Sequence, residues 1–124
     1  MGRSLMPWQR LRVRVSDHGP VTVVAVAGEI DVGTAAGLDR RLTAVLDAGR
    51  VRLVIDLTGV TFCDSTGIGV LVNAARRLRI QDLRVHLTGL GPVMVRLVEV
   101  TGIGPVFTIH DRLDDAITAA TSSG

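Results

Sequence analysis

Four successive positions, Cys63-Asp64-Ser65-Thr66, carry a thiol, a carboxylate and two hydroxyls, and Gly67 and Gly69 follow at once. Ser65 is the only serine between Asp17 and Thr121. Three chemistries fit a serine in this setting. As a nucleophile it would need the strained Gly-x-Ser-x-Gly elbow, and Cys63 stands where the first glycine belongs. As a helix cap it competes with its neighbours, since Asp64, Ser65 and Thr66 are all preferred capping types. As a phosphoacceptor it gains from its position, because the unpaired N–H groups at a helix start stabilise nearby negative charge by about 0.3–1 kcal/mol. A phosphoserine would add roughly −1.5 to −2 charges beside Asp64, enough to split an interface. Thr66 offers a second hydroxyl for the same modification.

Other reactive types do not assemble into a site. His18, His86 and His110 lack the i, i+4 spacing that ligates a metal from one helix, and His18 lies in a turn while His86 alternates with strand residues. They read as surface or sheet histidines, and no metal or cofactor is expected. Asp56 near a strand end suits a phospho-aspartate site, but the chain has no Lys, so that site, a phosphate-loop Lys and a Schiff base all lack their ammonium. Gly89-Leu90-Gly91 and Gly102-Ile103-Gly104 do not complete a dinucleotide loop and read as turn and helix-stop glycines. Cys63 reads as a small buried residue.

The elements that must position Ser65 follow from periodicity. Leu11, Val13 and Val15 alternate with Arg12 and Arg14, which predicts a strand with one wet face, and Asp17-His18-Gly19-Pro20 predicts a turn into an interior strand over Val21 to Ala27. A loop, Gly28 to Gly33, leads to Thr34 as a helix cap and to Leu38, Leu42, Val45 and Leu46 at helical spacing. Val51 to Leu57 predicts a third strand, Thr58 to Asp64 a loop, and Ile68, Leu71, Val72, Ala75 and Leu78 a second helix ending in Arg76, Arg77 and Arg79. Leu83, Val85 and Leu87 mark a fourth strand, Pro92 the start of a third helix, Val106 to Ile109 a fifth strand and Asp111 to Ala120 a last helix. The order β-β-α-β-α-β-α-β-α implies an α/β fold with a mixed, mainly parallel sheet behind an N-terminal hairpin. Residues 1–9 read as a flexible arm, 10–120 as one domain and 121–124 as a flexible polar tail.

Length and composition bound the function. One hundred and twenty-four residues with 47% apolar content build one core, and 2% aromatics supply little for stacking on bases. All 14 basic residues are Arg, and four of them, Arg3, Arg10, Arg12 and Arg14, precede Asp17. The remainder of the chain carries 10 Arg against 12 acids, so no basic body exists to neutralise a row of phosphates and direct nucleic-acid binding is not expected. A single cysteine fits a reducing compartment, and no apolar run or signal-peptide core points to a membrane. A cytoplasmic protein is expected.

Val54-Ile55-Asp56-Leu57 followed by Phe62-Cys63-Asp64-Ser65-Thr66-Gly67-Ile68-Gly69-Val70-Leu71 resembles the phosphorylation-site segment of the STAS family, specifically the bacterial anti-sigma factor antagonists. Ala27-Gly28-Glu29-Ile30-Asp31 resembles the family's stretch between second strand and first helix, and Met94 to Ile103 its late helix. The similarity runs from about Val13 to Ala120. Thr66 in place of a frequent second Ser, and Cys63 in place of an aliphatic residue, are its small departures.

The resemblance implies a STAS fold and a non-enzymatic partner switch. The unphosphorylated antagonist binds an anti-sigma factor that is also an ATP-dependent serine kinase, which frees a sigma factor; phosphorylation of the serine matching Ser65 then dissolves the complex, and a serine phosphatase resets it. Asp64, Thr66, Gly67 and Gly69 around that serine, together with Glu29 and Asp31, are the expected partner-binding residues. The alternative within the same fold is an unmodified scaffold or adaptor domain in a larger assembly, such as a stressosome or a lipid-transport complex.

Overall fold

A computed structural model describes residues 10–123 of the chain. Strands β1 (Leu11–His18) and β2 (Val21–Ile30) form a hairpin; α1 (Ala35–Asp47), β3 (Leu53–Cys63), α2 (Ser65–Arg79), β4 (His86–Thr88), α3 (Pro92–Thr101), a 3-10 turn (Gly104–Val106), β5 (Thr108–His110) and α4 (Leu113–Ser123) follow. The five strands lie in the order β1-β2-β3-β4-β5, with β1 antiparallel to β2 and every other pair parallel. This is the expected α/β architecture and element order.

Alternation on the strands divides the core. Val24, Val26, Leu53, Ile55, Leu57 and Leu87 face α1, α2 and α3, which contribute Leu38, Leu42, Ile68, Leu71, Leu78, Met94 and Val98 to the main cluster. Val21, Val23 and Val54 point to the opposite face and pack under Ala116 and Ala120 of α4. Ser65 therefore opens a helix that is held on the sheet by its own buried stripe.

At the site two expected boundaries move. Val51 to Leu57 was the expected third strand, yet β3 continues through the expected loop to Cys63, and β2 continues to Ile30. The register explains why. Between Ala25↔Asp56 and Ala27↔Gly59, and again between Gly28↔Val60 and Glu29↔Phe62, β3 gains one residue on β2. Each such bulge reverses the inward-outward alternation, so Thr58 to Phe62 shows no period of two. Two reversals cancel, and Cys63 points into the same core as Leu53, Ile55 and Leu57.

The sheet's far edge is shorter than its apolar pattern suggests. Leu83 and Val85 precede β4, although the Val85 carbonyl already accepts from the Thr108 N–H (3.0 Å), and Val106 belongs to the 3-10 turn before β5. Helix α4 starts at Leu113 rather than Asp111 and passes Ala120 to reach Ser123; the hydroxyls of Thr121 and Ser122 donate back to the carbonyls of Ile117 (2.8 Å) and Thr118 (3.2 Å). The proposed arm, residues 1–9, and Gly124 of the proposed tail lie outside the described residues.

Candidate functional site

Strands β2 and β3 run parallel and end side by side at the pair Ile30↔Cys63, so the segments that follow them, at Asp31 and Asp64, emerge together from the carboxyl edge of the sheet. The Asp64 N–H donates to the Ile30 carbonyl (3.2 Å) and ties the two segments to each other. This edge is where open parallel sheets present ligands and partners.

The capping contest is settled by geometry. Asp64 has an extended backbone and its Oδ1 accepts from the N–H groups of Thr66 (2.9 Å) and Gly67 (3.2 Å). Asp64 is the N-cap of α2, and Ser65 is the first helical residue, exposed. Its hydroxyl takes no part in the side-chain hydrogen bonds among the described residues. Thr66 is exposed beside it.

The two glycines of the segment have different surroundings. A Cβ on Gly67 would lie 2.6 Å from Ile30 Cγ2 and 2.7 Å from Cys63 Sγ, so its bare Cα lets the first turn of α2 sit directly on the strand ends. Gly69 faces open space, with nothing within 4 Å of such a carbon. Close approach within the chain thus accounts for Gly67 and not for Gly69. Cys63 is buried under this turn, and burial followed by the Asp64 charge pushes its thiol up to about 11. A thiol so protonated is a packing group.

Asp31 repeats the Asp64 arrangement. Its Oδ1 accepts from the N–H groups of Gly33 (2.9 Å) and Thr34 (3.2 Å). Thr34 occupies the cap position of α1 but makes no side-chain cap; its hydroxyl donates to the Glu29 carbonyl (2.8 Å) and accepts from the Asp31 N–H (2.9 Å). That pairing satisfies a hydroxyl in a buried residue. The other carboxylate oxygen of Asp31 is bound by the Arg10 guanidinium. Arg10 is the main reason the Asp31 carboxyl is held below its ordinary range; partial burial opposes it and the Gly33 and Thr34 amides add to it. Glu29 is half-buried on β2, and what it gives the turn is its backbone carbonyl.

Of the residues expected at the site, Glu29, Asp31, Asp64, Ser65, Thr66 and Gly67 are brought to one edge by adjoining strands, while Gly69 lies on an exposed part of α2 beyond it. Arg10, Val32 (83% exposed) and Phe62 (46% exposed) belong to the same edge and were not expected there. Val32 stands in the turn after β2, and Phe62, next to the inward-facing Cys63 at the bulged end of β3, is turned outward; both were visible as types but not as exposed residues. The histidines are elsewhere: His18 pairs with Ser16 (3.1 Å), and His86 Nδ1 meets His110 Nε2 (2.9 Å) between β4 and β5. Among the described residues no group of three or more His, Cys, Asp or Glu side chains is placed to hold a metal ion, and no helix is long and apolar enough to cross a membrane.

Comparison with known proteins matches this geometry to a family. The STAS domain family model matches residues 12–116. The chain is 37% identical over 101 residues to an anti-sigma-B factor antagonist of Listeria monocytogenes, covering 82% of this chain and 86% of that protein. It is 32% identical over 108 residues to the anti-sigma-F factor antagonist RsfB of Mycobacterium tuberculosis, covering 87% and 88% respectively. The crystal structure of an anti-sigma factor antagonist from Mycobacterium paratuberculosis superposes with a TM-score of 0.84 at 35% identity, covering 90% of this chain and 95% of that one. With sequence, element order and strand pairing in agreement, the chain belongs to the STAS-domain anti-sigma factor antagonists, a family of non-enzymatic regulatory proteins.

Proposed function

We propose that this protein is a phosphorylation-switched antagonist: unphosphorylated, it binds an anti-sigma factor that is also a serine kinase and so frees a sigma factor, and phosphate on Ser65 releases it. The observation that carries this reading is the division of labour at the start of α2. Asp64 does the capping, so the exposed Ser65 hydroxyl has no structural duty and its modification leaves the fold intact.

The transfer forms a bond between Ser65 Oγ and the γ-phosphorus of ATP and breaks the bond from that phosphorus to the bridging oxygen of ADP. The hydroxyl proton passes to a base, and the kinase supplies that base, the nucleotide and its metal. The product places roughly −1.5 to −2 charges where Asp64 already points a carboxylate at the same helix start. The favourable dipole end tolerates the phosphate within the chain, while a partner surface shaped for a neutral hydroxyl loses its fit. A serine phosphatase restores the hydroxyl. Glu29, Asp31, Asp64 and Thr66 form the surface around Ser65 that the partner covers, Gly67 is the buried seat beneath it rather than a contact and Gly69 extends the surface along α2, residues 10–120 form the single working domain, and the site of action is the cytoplasm.

Intact-mass and peptide-mapping analysis of wild type and Ser65→Ala, after incubation with Mg-ATP and source-cell lysate, tests the reading. Phosphate on Ser65 of the wild type, absent from Ser65→Ala and from a buffer control, is the expected result. No modification, in a lysate that phosphorylates a control substrate, overturns the switch in favour of an unmodified scaffold domain.

A further inference from the structure

Arg10 is seated by two glycines. Gly28 adopts φ +107°, and a Cβ there would lie 1.9 Å from the Arg10 carbonyl oxygen, so the backbone at the start of β1 presses against a position that only glycine fits. A Cβ on Gly33 would lie 2.5 Å from Arg10 Nη2, so the guanidinium fills the space that this second glycine leaves open. Between them Arg10 closes on Asp31 Oδ2, with both side chains only 22% exposed. Asp31 Oδ1 is already committed to the Gly33 and Thr34 amides, and the Ile30 carbonyl just before it holds the Asp64 N–H. A continuous chain of contacts thus runs from Arg10 through the Asp31 turn to the cap of α2.

We propose that Arg10 is the positioning residue of the switch surface: it fixes the Asp31 turn and offsets its charge, so that the kinase meets Ser65 beside a preformed loop in which the Asp31 carboxylate is already paired. This rests on the phosphorylation reading above. Three acidic residues, Glu29, Asp31 and Asp64, stand at the edge where phosphate arrives, and among them Asp31 is the one paired with Arg10. With Arg10 in place the Asp31 charge is offset as phosphate arrives; without it Asp31 adds to the carboxylates that oppose the incoming charge. Charge-assisted pairs that are partly shielded from water hold geometry better than neutral ones, and the glycines on either side show that the fold makes room for this one.

The test uses the full chain as wild type, Arg10→Ala, Arg10→Lys, Gly33→Ala and the Arg10→Ala/Gly33→Ala double variant. Each is melted, the Asp31 carboxyl is titrated by NMR, and the rate of phosphate uptake on Ser65 is measured with Mg-ATP and source-cell lysate. Arg10→Ala and Gly33→Ala each slow uptake roughly tenfold, the scale of one charged hydrogen bond; the double variant is no slower than Arg10→Ala, and Arg10→Lys recovers part of the rate. In both single variants the Asp31 carboxyl titrates higher than in wild type. Should Arg10→Ala fail to fold, Gly33→Ala displaces the guanidinium without removing it and carries the test. Wild-type uptake matched by Arg10→Ala, or additive losses in the double variant, overturns the role of Arg10 and leaves the switch standing. If wild type takes up no phosphate, the switch itself fails, and an Asp31 titration unmoved by Arg10→Ala overturns the positioning role as well.

Discussion

The turns after β2 and β3 are built alike and finished differently. In each, an aspartate Oδ1 accepts from the amides two and three residues on: Gly33 and Thr34 for Asp31, Thr66 and Gly67 for Asp64, at the same 2.9 and 3.2 Å. Each turn also has a glycine that lets another backbone or side chain come close, Gly28 beneath the first and Gly67 in the second. The first turn then closes. Arg10 takes the second carboxylate oxygen, and the buried Thr34 hydroxyl bonds back across the turn. The second turn stays open, with Ser65 and Thr66 exposed. One motif thus serves as a fixed wall in one place and as a presented hydroxyl in the other, and what separates them is whether the chain supplies its own cation.

Substitutions at the glycines strain the two halves most. Gly28→Ala is expected to cost about 2–4 kcal/mol, since the new methyl overlaps a backbone oxygen and the residue keeps a left-handed φ; a denaturant midpoint shift at unchanged m-value measures it. Gly67→Ala, which forces aside Ile30 and Cys63, is expected to cost roughly 1–3 kcal/mol. Removing the open turn's cap with Asp64→Ala costs about 0.5–2 kcal/mol, and Asp64→Asn, which still accepts from the same amides, much less. Gly69→Ala goes the other way. In open space on a helix it is expected to stabilise by roughly 0.5–1 kcal/mol, and a loss of partner affinity in this more stable variant would place a partner's backbone at Gly69.

Acid weakens the closed turn. Asp31 has a folded carboxyl held below its unfolded value chiefly by Arg10, so its contribution to stability is complete above about pH 4 and is lost as pH falls through the lowered folded value. The stability difference between wild type and Arg10→Ala is therefore largest near neutral pH and shrinks in acid. A difference that grew on acidification would break the closed-turn description.

Much of the molecule was legible in the sequence because one face of each element is buried. The stripe of Leu38, Leu42, Val45 and Leu46 and the stripe of Ile68, Leu71, Ala75 and Leu78 marked two helices at the right positions, and the hairpin followed from Leu11, Val13 and Val15. The end of β3 was not legible, since two bulges scramble the alternation of Thr58 to Phe62. Thr34 read as a cap from its type, but its hydroxyl is spent on the Glu29 carbonyl and the Asp31 N–H, and the Asp31 carboxylate holds the Gly33 and Thr34 amides just before the helix. Arg10 read as part of a basic lead-in, because a pair spanning so much sequence has no local signature.

What the sequence determined alone was the order of elements, the split between apolar and polar faces and the presence of a serine at a helix start, all of which follow from local spacing. Tertiary structure decided which residue caps that helix, which glycine is filled around and which left open, and which aspartate meets an arginine. Those outcomes depend on strands from distant parts of the chain ending side by side, and only the completed sheet brings Arg10, Asp31 and Asp64 to one edge.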